Sequence, residues 1–194
     1  MKNILLQICM VLLACSAFLP AQKEIDIIAK SPFRICETVK FYSETLEEDR
    51  LLNIYLPHGY DPDSAKTYPV IYLLDGSADE DFIHIAGLVQ FGSFSWTKML
   101  PEAIVVGIAN VDRRRDFTYP SKNEEERRDF PTTGKSETFI TSVENEILPL
   151  IAKNYRINGT RTLIGQSLGG LLATEILFKH PHLFDNYIII SPSL

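Results

Sequence analysis

Thr162-Leu163-Ile164-Gly165-Gln166-Ser167-Leu168-Gly169-Gly170-Leu171-Leu172-Ala173 joins two apolar runs through a serine set among glycines. The first run suits a buried strand, and the second suits a packed helix reaching Lys179. Between them stands G-x-S-x-G. In that motif the serine occupies a sharp strand-to-helix turn crowded by neighbouring backbone, so the flanking positions lack large side chains. Gly165, Gly169 and Gly170 meet that need. Such a turn lifts the Ser167 hydroxyl above the carboxyl edge of a sheet and aims a helix N-terminus at it, so the amide of Leu168 can help hold a developing oxyanion. A second amide is expected from the loop after the strand that ends at Asp75, making Gly76 and Ser77 the candidates. An ordinary tight strand-to-helix turn is the plainer reading of the same residues.

The rest of the chain supplies the sheet that this turn requires. Leu51 to Leu56 reads as a strand closed by Pro57 and the turn-forming His58 to Asp63. Val70 to Leu74 and Ala103 to Ala109 are apolar runs rich in β-branched residues, suited to strands buried on both faces of a parallel sheet. Between them Phe82, Ile85, Ala86 and Val89 have helical spacing, which gives a right-handed strand-helix-strand crossover. Asp112 to Lys135 is a polar surface excursion. Ser136 is placed to cap a helix bearing Phe139, Ile140, Val143, Ile147, Leu148 and Ile151, with a kink expected at Pro149. Asn158-Gly159 then predicts a turn, and Asn186 to Ile190 a last strand. Alternating strands and helices in one domain, residues 22–194, indicate the α/β class, with helices on both faces of a mostly parallel sheet.

Composition narrows the function classes. The chain has 194 residues, 45% of them hydrophobic and 23% charged, which is ordinary for a globular domain. A formal net charge of -6 leaves no basic footprint for nucleic acid. Residues 1–21 have the order of a signal peptide: a basic start, an apolar run from Ile4 to Leu19, and Pro20-Ala21. A secreted or periplasmic protein is expected. Leu12-Leu13-Ala14-Cys15 also resembles a lipobox, which would leave the protein membrane-anchored at an acylated Cys15; an uncleaved anchor is a third reading. After cleavage near Ala21 the domain keeps Cys36 alone, so no intrachain disulfide is expected. No histidine or cysteine spacing suggests a metal, and the acidic run Asp79-Glu80-Asp81 suits a helix N-terminus better. No cofactor is implied.

The chain resembles the putative esterase family of α/β-hydrolases, which includes siderophore trilactone esterases, S-formylglutathione hydrolase, feruloyl esterases and mycolyltransferase antigens. The resemblance rests on Ile54-Tyr55-Leu56-Pro57-His58-Gly59-Tyr60, Tyr68 to Gly76, Arg115-Asp116-Phe117-Thr118, the Gly165 to Gly170 elbow and Ser191-Pro192-Ser193. It implies a serine carboxylic-ester hydrolase with a small-molecule substrate. The landmarks are most similar to the siderophore-esterase branch, which points to an ester such as a catecholate trilactone.

A serine hydroxyl needs a base. In this fold the order along the chain is serine, acid, histidine. His180 and His182 lie at the far end of the helix after Ser167, about 20 Å away at 1.5 Å per residue. His58 and Asp185 are also expected at the opposite sheet edge; His84 alone is expected near the serine's edge, in a helix where the resemblance implies no base. The resemblance therefore implies a histidine, and any acid, beyond Leu194, with the last strands of the fold absent here. The competing expectation is a catalytically inactive remnant, or a binding protein using the same cleft. Arg113, Arg114 and Arg115 begin at the carboxyl end of a strand near that cleft, where they would meet an anionic or catecholate substrate or form a salt-bridged loop with Asp112 and Asp116.

Overall fold

The computed structural model describes residues 25–193, so the signal segment 1–21 with Cys9 and Cys15 lies outside the described residues. Two units divide the chain: Met1–Phe33, whose described residues form no helix or strand, and Arg34–Leu194. The second unit carries six strands, β1 (Glu37–Ser43), β2 (Glu48–Tyr55), β3 (Tyr68–Leu73), β4 (Ile104–Ile108), β5 (Ile157–Gln166) and β6 (Asn186–Ile190). Its helices are α1 (Phe82–Gly92), α2 (Arg113–Phe117), α3 (Glu124–Asp129), α4 (Ser136–Ser142), α5 (Leu148–Asn154) and α6 (Leu168–Lys179).

The strands form one sheet in the order β1-β2-β4-β3-β5-β6. β4, β3, β5 and β6 run parallel, while β2 is antiparallel to both β1 and β4. Every residue of β4 is buried, because alternate side chains enter two different cores. Ile104, Val106 and Ile108 join Leu52, Tyr72 and Leu172 on one face; Val105 joins Leu73, Phe82 and Ile164 on the other. α1 covers the second face, while Phe117, Phe139, Ile151 and Ile176 from α2, α4, α5 and α6 pack on the first. The expected α/β fold with helices on both faces is present.

Three local expectations are corrected. Asn158-Gly159 lies inside β5, where the register against β3 slips between Tyr68 and Val70 and Gly159 adopts φ 90°, so a bulge replaces the turn. Pro149 produces a π turn, Val143–Ile147, in which the Leu148 amide bonds back to the Val143 carbonyl. That extra residue places proline in the first turn of α5, where its missing amide costs no helical bond. Ser136 is the first residue of α4, and Lys135 stands at the cap position. Cys36 is half-buried and unpaired, and burial, aided by the neighbouring Glu37 charge, pushes its thiol pKa up, away from a reactive thiolate.

A buried ion network ties β2 to α2. Arg50, fully buried in β2, donates to Asp116 at 2.8 Å, to Glu48 at 2.9 Å and to the Ala109 carbonyl at 3.2 Å. Arg115 completes the ring through Glu48 at 2.6 Å and 2.8 Å and Asp116 at 2.7 Å. The Arg115 hydrogen bond is the main force holding the Glu48 carboxyl below its ordinary pKa, against desolvation. A depressed folded-state pKa gives stability that is present above the unfolded value and lost as pH falls through the folded one. Between about pH 5 and about pH 3, the melting temperature of Glu48→Gln should therefore fall less steeply with acid than that of the parent. Equal slopes in calorimetry at several pH values would contradict this.

Candidate active site

β3 leads through α1 to β4 on one side, whereas β5 leads through α6 to β6 on the other. The sheet order reverses between β3 and β5, and a crevice opens beyond their carboxyl ends at such a point. Ser167 stands there, directly after β5 and before α6, with φ 54° and ψ -116°. This is strained backbone for a residue with a side chain. The neighbours impose it. A Cβ on Gly165 would lie 2.3 Å from the Gly169 carbonyl oxygen, so the strand and the helix meet backbone to backbone. The Ser167 amide donates to the Ile190 carbonyl at 3.0 Å, and its carbonyl accepts from Leu171 at 2.9 Å and Ser193 at 3.1 Å.

The loop after β3 packs just as tightly. Gly76 lies against Gly107 of β4, where a Cβ on Gly76 would meet the Gly107 Cα at 2.3 Å. Its amide donates to the Ile108 carbonyl at 3.0 Å, and its carbonyl accepts from the buried Asn53 side chain at 2.8 Å. Both polar groups of Gly76 are thus bonded to neighbouring strands and the residue is buried, whereas Ser77 is half-buried. The Ser77 amide is bonded to the Glu80 carboxylate at 3.1 Å, so this N–H already accommodates an anionic oxygen. The Leu168 amide, at the first position of α6, has no intrahelical partner by its position.

Sequence reasoning missed the brace across the cleft. Asp75, with φ 57°, accepts from Arg113 through Nε at 2.5 Å and Nη2 at 2.9 Å, and from Asn110 at 2.8 Å. Arg113 also reaches the Gln166 carbonyl at 3.4 Å, linking the β3 loop to the elbow. Asn110 extends to Glu80 at 2.8 Å and, through its amide, to Ser77 Oγ at 3.3 Å. Asp75 was used only to mark the end of the third-strand run, and Arg113 only as part of a loop near the cleft. Ser193 was likewise quoted only as a landmark, yet its Oγ shares a hydrogen bond of 3.2 Å with Ser167 Oγ.

Two hollows adjoin Ser167. A small one of about 280 Å³ is walled by Asp75, Glu80, Asp81, Arg113, Gln166 and Ser167 itself. A larger one of about 610 Å³ runs from Leu168 and Ser193 to Arg114, Tyr119 and Phe130.

The three arginines have separate fates: Arg113 pairs with Asp75, Arg115 with Glu48 and Asp116, and Arg114 lies over the Phe130 ring at 3.7 Å. Asp112 accepts the Arg115 amide as the cap of α2. Three of the four histidines lie away from the carboxyl edge where Ser167 stands, as expected, and His84 belongs to the helix that starts just after Asp81, a wall of the small hollow beside Ser167. His180 pairs with Glu137 and His182 with Glu144, His58 follows β2 at the amino end of β4, and His84 is exposed on α1. Asp185 bonds to the Arg161 amide, on the β5 side remote from Ser167.

Comparisons with known proteins agree with this architecture. The family model described as "Putative esterase" matches residues 43–194. The ferri-bacillibactin esterase BesA of Bacillus subtilis is 32% identical over 160 residues, covering 76% of this chain and 55% of that protein. A siderophore triacetylfusarinine C esterase of Aspergillus fumigatus is 28% identical over 185 residues, 84% of this chain and 58% of its own length. Among solved structures, an IroE-like serine hydrolase from Shewanella oneidensis superposes with a TM-score of 0.72 at 36% identity, covering 82% of this chain and 51% of that one. The chain therefore spans a little over half the length of the relatives it matches.

Proposed function

We propose, from the premise that this chain belongs to the Putative esterase family, that it contributes the nucleophile of a carboxylic-ester hydrolase whose substrates are siderophore esters. One observation carries the reading: Ser167 is held at φ 54° on the elbow between β5 and α6, beside the first amide of a helix. Ser167 Oγ attacks the ester carbonyl, and the negative charge that develops on its oxygen is met by the amides of Leu168 and Ser77. The Ser77 amide becomes available when Glu80 swings away. The Arg113 brace between Asp75 and Gln166 keeps the two donors in fixed relation. The base that takes the Ser167 proton is a histidine supplied from outside these 194 residues. The siderophore class is supported by BesA and the triacetylfusarinine C esterase, whose names state that activity. Secretion or export to the periplasm, with residues 1–21 as the signal, belongs to the same proposal; anchoring at Cys15 is its alternative.

The full-length protein should be assayed on ferric trilactone siderophores, aryl esters and feruloylated sugars. We expect trilactones to be cleaved with the highest kcat/KM. Absence of turnover on every ester would overturn the hydrolase and favour a binding protein in the same cleft. The 194-residue chain alone should hydrolyse p-nitrophenyl butyrate no faster than its Ser167→Ala variant. Ser167-dependent turnover by that chain would overturn the claim that its base lies elsewhere.

A further inference from the structure

At the sheet edge opposite Ser167, the end of α1 and the loop that carries the chain into β4 turn apolar side chains toward solvent. Trp96 and Met99 are each 73% exposed, and Leu88 and Phe91, in the last two turns of α1, are half exposed. The display is ordered. Phe94 stacks on Trp96 with ring centres 4.4 Å apart and meets Phe91 edge-on at 6.1 Å, so three rings stand in file. Thr97 Oγ1 donates to the Phe91 carbonyl at 2.8 Å, and the Met99 and Leu100 amides both donate to the Gly92 carbonyl, at 2.9 Å and 3.0 Å. Lys98, exposed at φ 49°, makes no ion pair among the described residues. A hydrogen-bonded loop, with one residue forced into the left-handed region, thus holds apolar groups and a free cation outward. A contiguous exposed patch of this kind marks an interaction surface.

The N-terminal part of the chain enters the domain at the same edge. β1 is antiparallel to β2 and β2 to β4, so the residues before Glu37 lie toward the amino end of β4, the end that this loop enters. Cys36 packs on the cluster that contains Val89 of α1 and Ala103 at the end of the loop. Arg34 follows the apolar run Ile4 to Leu19 by about fifteen residues, a reach of at most about 50 Å, so whatever holds that run tethers the domain by this edge. Aromatic rings settle at the depth of lipid headgroups, and an ammonium on a flexible stem reaches the phosphates there while its methylenes stay in apolar surroundings. We infer that the loop from Phe91 to Leu100 docks on the surface of a phospholipid bilayer, with Phe91, Trp96 and Met99 entering the interface and Lys98 meeting anionic headgroups. Ser167, at the carboxyl end of β5, then faces the aqueous phase.

The test uses the full-length protein from Gln22 onward, so that residues 1–21 cannot insert. It is sedimented with sucrose-loaded vesicles of phosphatidylcholine, or of phosphatidylcholine mixed with phosphatidylglycerol. Trp96→Ser combined with Met99→Ser should lower the vesicle partition coefficient about tenfold or more. Lys98→Gln should lower it about fivefold on the mixed vesicles and little on the neutral ones. Absence of parent binding to either vesicle, or equal partition of parent and double variant, would overturn the docking. Hydroxyl-radical footprinting addresses the rival covers, a second copy of the chain or the part of the full-length protein outside these residues. Trp96 and Met99 should oxidise readily in the lipid-free parent and become protected on vesicles. Protection already present without lipid would mean that protein covers the loop, and would equally sink the inference. Vesicle binding does not depend on the esterase reading, whose failure shows separately as an absence of hydrolysis.

Discussion

Ser167→Gly in the full-length protein is expected to lose ester hydrolysis by about 10⁴-fold or more while its melting temperature rises. The two effects share one cause. Ser167 holds φ 54° and ψ -116°, and a side chain in such a conformation costs roughly 1–3 kcal/mol. Glycine adopts positive φ freely but adds about 0.5–1 kcal/mol of chain entropy on folding, so the net gain is near 1 kcal/mol. For a domain of this size that is about 2–4 °C. Ser167→Ala is the control, since it removes the hydroxyl but keeps the Cβ and hence the strain. It should lose activity equally and gain little stability. Thermal melts and p-nitrophenyl ester rates on the three proteins decide the matter. Residual Ser167-independent hydrolysis would remove the serine from the mechanism, and equal melting temperatures for Gly and Ala would show that the strain costs nothing.

Arg50→Ala should be the most destabilising single change of the buried ion network, by about 3–5 kcal/mol. The substitution leaves Asp116, which is only 1% exposed, without its bond to the fully buried Arg50 and with only Arg115 as a cation partner. Asp116→Ala should cost a similar amount, for the mirror reason. Replacing both with apolar residues, Arg50→Met with Asp116→Leu, should cost much less than the sum, because neither charge is then buried alone. Urea unfolding of the four proteins provides the cycle. A loss below about 1 kcal/mol for Arg50→Ala would mean that water or another group rescues Asp116.

Much of the fold was legible because it is written in local pattern. The runs Val70 to Leu74 and Ala103 to Ala109 are apolar without interruption since both faces of β3 and β4 are covered, and the elbow announces itself through glycines that backbone crowding demands. β1 was not read. Glu37-Thr38-Val39-Lys40-Phe41-Tyr42-Ser43 is mostly exposed at the sheet edge, so its composition resembles a loop and only pairing with β2 defines it. Pro149 was recognised as a disturbance, but whether a helix kinks or takes an extra residue depends on how its two halves pack. Ser167 and Leu168 could be placed on the strand-to-helix turn because the motif is contiguous. The bonding of the Gly76 backbone could not be foreseen, since Asn53 and Ile108 reach it from other strands. The Asp75 to Arg113 brace joins residues far apart in sequence and has no local signature at all.

The pairing of β3 with β5 has a bearing on how the molecule comes to exist. Leu73 lies opposite Ile164 in that ladder, so the strands that carry the two halves of the cleft are separated by about ninety residues of chain. Contacts of such long range are slow to form, whereas β3, α1 and β4 are consecutive and can assemble on their own span first. The crevice at Ser167 is therefore expected to form late in folding. An emerging chain carries the Asp75 loop, with its carboxylates, well before the elbow arrives to face it. On the proposed mechanism, Ser167 and the Ser77 amide meet only when the central ladder closes, so no intermediate that lacks that ladder would hold the proposed site.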